Sequence, residues 1–493
     1  MSARAARVAY FTPLQPIESG ISQYSEDLIP WLATALDLAV VVDNYVPTLA
    51  ASLAPARIVA ARQFDRRAYD AVVVQMGNSP AHNYMVPLAL DRPDVLVLHD
   101  IVLHHLMVWR AVQGRGGRDA YRREMRERYG ERGEAVAAHV LRGQNPTAMF
   151  DFPLNEDLLR AARCVVTHSP SSSAWVQRLV PGTRAYVVPM GVPIVKQVSP
   201  HIARARLGIG PDTFVILSLG RINPFKRIPA VFRAIRRLAD EVPNVALVIV
   251  GGDSPNYDVS RLARFAGIER YVRRLGYVPD DQLPDLFAAS DVCINLRYPT
   301  AGETSAAVLR LMSAGLPTIV TDTGAFADLP DDAALKVPPD AFEGETLVAF
   351  LRALATDASF RRAVGANARA FVLREHTMRR AAEGYLDVLS DVIGKPFPHN
   401  LVREPPDPPT PFRDVTLPVN RGDMLIAPET VTVTPEDSLL APIAAAIGDL
   451  GLAGNNALIE QVARHLADIH LGIVGAQTSG KRSFFRRSIG RDE

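Results

Sequence analysis

The loop Leu219-Gly220-Arg221-Ile222-Asn223-Pro224-Phe225-Lys226 follows an apolar run and carries two cations, Arg221 and Lys226, five residues apart. Two such cations can clamp a diphosphate and neutralise the charge that grows on it as a bond to it breaks. Two solvated loop cations would read the same way in isolation. A second stretch, Arg297-Tyr298-Pro299-Thr300-Ala301-Gly302-Glu303-Thr304-Ser305, leads from an apolar segment into a helical pattern from Ala306 to Ser313. Backbone amides at a helix start offer an anion site, and Thr304 or Ser305 could cap the helix while facing a phosphate. Glu303 is either a working carboxylate or a first-turn residue that complements the helix dipole.

The first half of the chain offers weaker signals. Ser19-Gly20-Ile21-Ser22 joins an apolar run to a helical pattern, and glycine there would let the backbone approach a phosphate, although a plain turn needs the same residues. His99-Asp100 closes the run Val95 to Leu98, with His104-His105 just beyond. No further ligand cluster accompanies these four, so a metal is not expected, and His99 reads as a hydrogen-bonding or positioning residue. Gln75-Met76-Gly77-Asn78 ends another run, where Asn78 could bond sugar hydroxyls, and His168-Ser169 is a similar, weaker case. Eight arginines between Arg110 and Arg132, interleaved with acids, read as a solvated helical face, the other reading being a surface for anionic lipid or polymer. The tail Lys481 to Arg487 mixes basic and aromatic residues, which suits a disordered end or contact with a membrane surface.

These loops need elements to hold them. Short runs of Val, Ile and Leu alternate with amphipathic stretches from Arg7 to Val188, and again from Phe214 to Thr321. Continuous apolar strands separated by helices predict parallel sheets covered on both faces. The expected fold is α/β, with two Rossmann-like, doubly wound parallel-sheet domains at residues 1–190 and 191–378, the Pro- and Gly-punctuated stretch Val188 to Pro200 joining them. Beyond them are expected a helix at 379–394, a Pro-rich linker at 395–412, and a C-terminal extension at 413–493 with an amphipathic helix and a basic tail. Ligands of such sheets bind outside the carboxyl ends of the strands, where most of the residues named above fall.

The composition is that of an ordinary globular protein, 48% apolar and 22% charged, with a formal net charge of +1. No global field draws it to nucleic acid. Cys164 and Cys293 lie far apart inside apolar runs, which argues against a disulfide framework and for reduced thiols. Met1 to Phe11 fits neither a signal peptide nor a spanning helix, so a cytoplasmic protein is expected, with peripheral contact at the inner face of a membrane left open.

Taken together, the chain resembles glycosyltransferase family 4, the retaining enzymes of the GT-B fold. The resemblance covers about residues 5 to 393 and is carried by Ser19-Gly20-Ile21-Ser22-Gln23-Tyr24-Ser25-Glu26-Asp27-Leu28, Val97-Leu98-His99-Asp100, Gly220-Arg221 with Lys226, Gly276-Tyr277-Val278-Pro279-Asp280-Asp281-Gln282-Leu283, and Gly302-Glu303-Thr304-Ser305 through Gly315-Leu316-Pro317. It implies transfer of a sugar from a nucleotide-diphosphate donor onto a glycan, lipid-linked or small-molecule acceptor in a cleft between the domains. On that pattern Gly20, Gly220, Arg221 and Lys226 attend the donor diphosphate, Tyr277 and Val278 the base, and His99 the transferred sugar. Tyr24, Asn78 and Asp100 fall on the acceptor side, and the helix after Arg379 crosses back to the first domain. Such enzymes retain anomeric configuration without a bound metal or other cofactor. The family pattern places two glutamates with seven residues between them, whereas Gly302 and Arg310 occupy those positions here and Glu303 is displaced by one.

Two other functions stay open at the level of sequence. One is a non-catalytic nucleotide-sugar-binding subunit, and the other a nucleotide-sugar epimerase of the same architecture, for which only Glu303 offers a candidate carboxylate. An Asp-x-Asp triplet, which would signal a metal-bound diphosphate, is absent from the chain.

Overall fold

The computed structural model describes residues 5–48, 53–113, 117–144, 146–242, 244–252, 254 and 257–406. The expected amphipathic helix and basic tail of 413–493 lie outside them.

Among the described residues the first half builds a seven-stranded sheet from β1 (Arg7–Phe11), β2 (Asp37–Val42), β3 (Arg57–Ala60), β4 (Ala71–Met76), β5 (Val95–Leu98), β6 (Cys164–Thr167) and β7 (Ala185–Val187). Their order is β3-β2-β1-β4-β5-β6-β7, every neighbouring pair parallel. The second half repeats the plan with six strands, β8 (Phe214–Leu219), β9 (Val245–Val250), β10 (Val272–Gly276), β11 (Val292–Asn295), β12 (Thr318–Thr321) and β13 (Leu335–Val337), in the order β10-β9-β8-β11-β12-β13. β4 and β8 are buried at every position, as strands covered by helices on both faces must be. The strand order reverses between β1 and β4 and between β8 and β11. Each reversal opens a crevice at the carboxyl ends, and the two crevices hold the loops that carry the candidate residues.

Helix Gly20–Leu32 follows β1 and starts at Ser19, whose side chain accepts from the Ser22 amide at 3.0 Å. Helix Ala306–Ser313 follows β11, with Ser305 as its N-cap. The arginine-rich stretch forms helix Gly117–Val140, interrupted at Gly130 by a left-handed φ of 65°. Cys164 and Cys293 are buried free thiols. No helix among the described residues is long and apolar enough to cross a membrane.

Two expectations about connecting segments need correction. The stretch after β7 is packed: Val188, Met190 and Val192 are buried in the first core, and the Val192 amide donates to the His376 carbonyl at 2.9 Å. Helix Met378–Ile393 buries Ala381, Tyr385 and Leu389 in that same core, with Gln75 Nε2 donating to the Tyr385 hydroxyl at 3.3 Å. Residues 395–403, read as part of a Pro-rich linker, continue this attachment. Phe397 and Val402 are buried there, and the Arg403 amide donates to Thr34 Oγ1 at 3.1 Å, a hydroxyl whose proton is shared between the Trp31 carbonyl at 2.7 Å and the Leu401 carbonyl at 3.2 Å. Proline content described the backbone of this segment and not its two buried apolar side chains.

Candidate functional site

Both crevices open onto one cavity of about 580 Å³. Its first-domain wall is helix Gly20–Leu32, through Gly20, Gln23, Tyr24 and Asp27. Its second-domain wall comes from the ends of β8, β9 and β10 and from helix Ala306–Ser313. Gly220 and Gly251 hold left-handed φ values of 102° and 129°, and a Cβ on Gly251 would lie 2.4 Å from the Gly220 carbonyl oxygen. Glycine is therefore required for these two loops to meet at the cavity floor.

The two cations of the β8 loop separate in space. Arg221 is exposed, lines the cavity, and makes no ion pair or hydrogen bond among the described residues. Lys226 is turned inward by the 3-10 turn Pro224–Lys226, is 4% exposed, and donates from Nζ to the Leu219 carbonyl at 2.5 Å. It stands directly behind Gly220, where an added Cβ would be 3.2 Å from Nζ. Burial, and after it the charge of Arg297, lower the Lys226 ammonium to about 7. The expectation that both cations face the cavity is thus corrected: Arg221 does, and Lys226 backs the loop.

Arg310 lines the cavity. Its guanidinium pairs with Asp280 of the β10 loop at 3.2 Å, while its Nε is buried with no hydrogen-bond partner among the described residues. Asp27 faces it from the first domain. Burial raises the Asp27 carboxyl to about 7, and the Arg310 charge is the largest opposing influence. Tyr277 is 80% exposed and Val278 half-buried, both on the cavity wall.

A smaller cavity of about 150 Å³ lies along the same loops. The β8 loop lines the larger cavity with Gly220 and Arg221 and the smaller with Asn223 and Phe225; after β11, helix Ala306–Ser313 lines the larger with Ala306 and Arg310, and the loop before it lines the smaller with Arg297 and Glu303. Asn78, Asp100, His105 and Phe150 close it from the first domain. Glu303 is ion-paired with Arg297 and accepts from Thr300 Oγ1 at 2.8 Å. Asp100 accepts the Asn78 amide at 2.7 Å; burial, with Glu303 next, raises its carboxyl to about 7. Asn78 is spent on structure, its side chain bonding His105 Nδ1 at 2.8 Å and accepting the Leu106 amide at 3.0 Å.

Four expected residues lie elsewhere. His99 is buried and lines neither cavity; its Nε2 bonds Gln75 Oε1 at 2.7 Å and its ring meets the edge of Tyr24 at 5.3 Å. Burial holds its pKa well below the usual histidine value, so it is neutral. Gly302, at φ 81°, is wedged against Ile101, and Thr304 lines neither cavity. Ser305 spends its hydroxyl on the helix cap, accepting from the Val308 amide at 3.4 Å. Sequence reasoning missed Asp27, although its seven-residue spacing from Gly20 puts both on one helix face. It also gave no role to Asp280, Arg297 or Asn223. No group of three or more His, Cys, Asp or Glu among the described residues converges to hold a metal ion.

Several known proteins are similar to this chain. Residues 201–371 match the profile of the family described as glycosyl transferases group 1. A D-inositol 3-phosphate glycosyltransferase of Streptomyces avermitilis is 36% identical over 155 residues, 27% of this chain and 32% of that protein. Its namesake from Kineococcus radiotolerans is 31% identical over 186 residues, 34% of this chain and 42% of that one. The chain thus spans about a third of the length of the curated relatives it matches. Sucrose-phosphate synthase from Thermosynechococcus elongatus superposes with a TM-score of 0.57 at 16% identity, covering 79% of this chain and 99% of that one. WaaG, a glycosyltransferase involved in lipopolysaccharide biosynthesis, gives 0.52 at 17%, covering 78% and 100%. The fold is GT-B. In GT-B terms the first-domain wall is helix Gly20–Leu32, and the second domain contributes the loops after β8, β10 and β11. HepE from Anabaena, solved with UDP and glucose, shares the GT-B fold at a TM-score of 0.53 and 16% identity, covering 78% of this chain and all of that one.

Proposed function

We propose that this chain is a glycosyltransferase of family 4 that moves a sugar from a nucleoside-diphosphate donor to a hydroxyl acceptor with retention of anomeric configuration. The observation that carries this reading is Arg221, a cation with no partner among the described residues. It lines the larger of the two cavities that the described residues form between the domains at the carboxyl ends of their strands. The matched group 1 glycosyltransferase profile and a neighbour solved with UDP and glucose support it.

In this reading Tyr277 and Val278 receive the base, and the diphosphate lies over Gly220 against Arg221. Lys226 adds charge through the bare Cα of Gly220, and the start of helix Ala306–Ser313 faces the same anion. These groups stabilise charge that grows as the sugar–phosphate bond breaks. The acceptor oxygen bonds to the anomeric carbon, and its proton passes to the departing phosphate oxygen on the same face. No divalent metal takes part. His99 acts as a positioning residue, holding Tyr24 against the cavity. The protein works in the cytoplasm.

The test is nucleotide release by the purified full chain from UDP-, ADP- and GDP-sugars, with and without EDTA, and with the product's anomeric configuration read by NMR. We expect release from one donor class, unaffected by chelator, with retention. Release from none of them would overturn the reading. Release abolished by EDTA and restored by a divalent metal would overturn its metal-free part.

A further inference from the structure

The chemistry of the smaller cavity points to the class of acceptor, an inference that rests on the glycosyltransferase reading. We infer that the 150 Å³ cavity is the acceptor compartment, and that it takes a polyhydroxylated ring, a sugar or cyclitol, bearing no phosphate on the part that enters.

Its place follows from its walls. The β8 loop lines both cavities in turn, and the chain after β11 lines the smaller with its loop and the larger with helix Ala306–Ser313, so a ring in the smaller one lies beside the segment Gly220–Arg221 assigned to the donor diphosphate. Its chemistry follows from what its side chains have left to give. Asp100 uses one oxygen on the Asn78 amide, and the other has no hydrogen-bond partner among the described residues. Asn223 presents a buried Oδ1 without a partner. These are acceptors that hydroxyl groups satisfy. Phe150 and Phe225 meet edge to face at 4.9 Å and supply apolar surface for the C–H bonds of a ring.

Positive charge is not on offer. Arg297 is the lining cation, and its guanidinium is ion-paired with Glu303. His105 is bonded through Nδ1 to Asn78, and burial lowers its pKa, so it stays neutral. Lys226 lies behind the same loop and does not line this compartment. A phosphate here would meet an ion pair of no net charge, Arg297 with Glu303, and the Asp100 carboxyl, which repels it once ionised, with no uncommitted cation in the lining to offset that. The compartment therefore differs in kind from one that accepts an inositol phosphate, the acceptor named for the curated relatives.

The experiment uses the purified full chain with whichever of UDP-glucose, UDP-N-acetylglucosamine or GDP-mannose shows nucleotide release. Its acceptor pairs are myo-inositol against inositol 3-phosphate, and glucose against glucose 6-phosphate. We expect the neutral member of at least one pair to stimulate release and form product at least about tenfold better in kcat/KM than its phosphate. Asp100→Asn, which keeps the acceptor for the Asn78 amide, should narrow that ratio by about tenfold. Asn223→Ala should raise KM for the neutral ring more than it lowers kcat. A phosphorylated ring that outperforms its neutral partner, or donor hydrolysis that no neutral ring stimulates, overturns the acceptor inference alone. Absence of release from every donor overturns the glycosyltransferase reading beneath it.

Discussion

The second domain has a hollow at each end of its sheet, and the two differ in how their polar groups are spent. At the amino ends of β8, β11 and β12 lies a hollow of about 700 Å³, bordered by Phe214, Asp291 and Pro317. At the carboxyl ends lies the interdomain cavity, smaller at about 580 Å³. The larger hollow is also rich in arginine: Arg362 is exposed and, like Arg221, makes no ion pair or hydrogen bond among the described residues, whereas its other three guanidinium groups are committed. Arg204 donates to the carbonyls of Gly210, Pro211 and Thr213 and pairs with Asp291 at 2.5 Å; Arg361 and Arg369 bond the carbonyls of Leu354 and Ser313. In the interdomain cavity Arg221 has no such partner, Arg310 has an unsatisfied Nε, and two glycine-floored loops bring backbone to the surface. Volume does not nominate the site. Buried polar groups left unsatisfied by the fold, here the Arg310 Nε, do, because they are what a ligand can complete.

The sharpest way to break this comparison is to remove one arginine from each end. Arg221→Ala should lower turnover by about 10²- to 10³-fold, in line with loss of one group that stabilises transition-state charge, and leave the melting temperature unchanged. Arg204→Ala should do the opposite. It leaves the Asp291 carboxylate, 15% exposed, without its closest cation, and should cost about 2–3 kcal/mol of stability while folded protein keeps its turnover. Thermal unfolding and steady-state rates on both variants decide it. A stable but inactive Arg204→Ala would move the chemistry to the other end of the sheet.

How much of this was legible beforehand depended on what each signal measured. Runs of Val, Ile and Leu located β1, β4, β5 and β8 because strands buried on both faces must be apolar throughout. β3 and β13 escaped notice. Arg57–Ala60 is an edge strand of mixed character and Leu335–Val337 is three residues long, so neither carries a continuous run. In the site, the family pattern singled out position 310, and Arg310 does line the cavity. Spacing could not separate Arg221 from Lys226, since a short turn, and not the interval between them, buries one and exposes the other. The pairing of Arg310 with Asp280 joins residues thirty positions apart and is set by the tertiary fold.

The chain after helix Met378–Ile393 extends the comparison, because its groups are spent on structure like the three committed arginines of the amino-end hollow. A chain ending at residue 394 loses the buried Phe397 and Val402 and the bonds to Thr34 and Arg379. It should be less stable by about 3 kcal/mol, using about 1.5–3 kcal/mol per buried apolar side chain with part regained by relaxation. A chain ending at residue 406 keeps these contacts and should match the full chain in donor affinity. Equal urea midpoints for the two truncations would return residues 395–403 to the status of a free linker.

The smallest expected effect is a pH dependence that tests whether Lys226 belongs with the spent groups or with the site. Its ammonium is lowered to about 7, chiefly by burial, against an ordinary value of 10.5. The unfolded chain therefore holds one more proton than the folded chain between about pH 7 and 10.5, and this residue alone makes stability rise with pH across that window. If Lys226 also serves the donor, binding of a diphosphate over Gly220 must favour the protonated form. Donor affinity should then be highest below pH 7 and weaken by up to about tenfold per unit above it, until the bound-state pKa is reached. Stability and affinity thus respond to pH in opposite directions, and a purely structural lysine produces only the first. Nucleotide titrations of the wild type and of Lys226→Met between pH 6 and 9 separate the cases. The wild type should lose affinity as pH rises, and Lys226→Met should bind weakly with a flattened profile. Parallel profiles for the two proteins would confine Lys226 to holding the Leu219 carbonyl and leave Arg221 as the cation of the β8 loop that meets the donor.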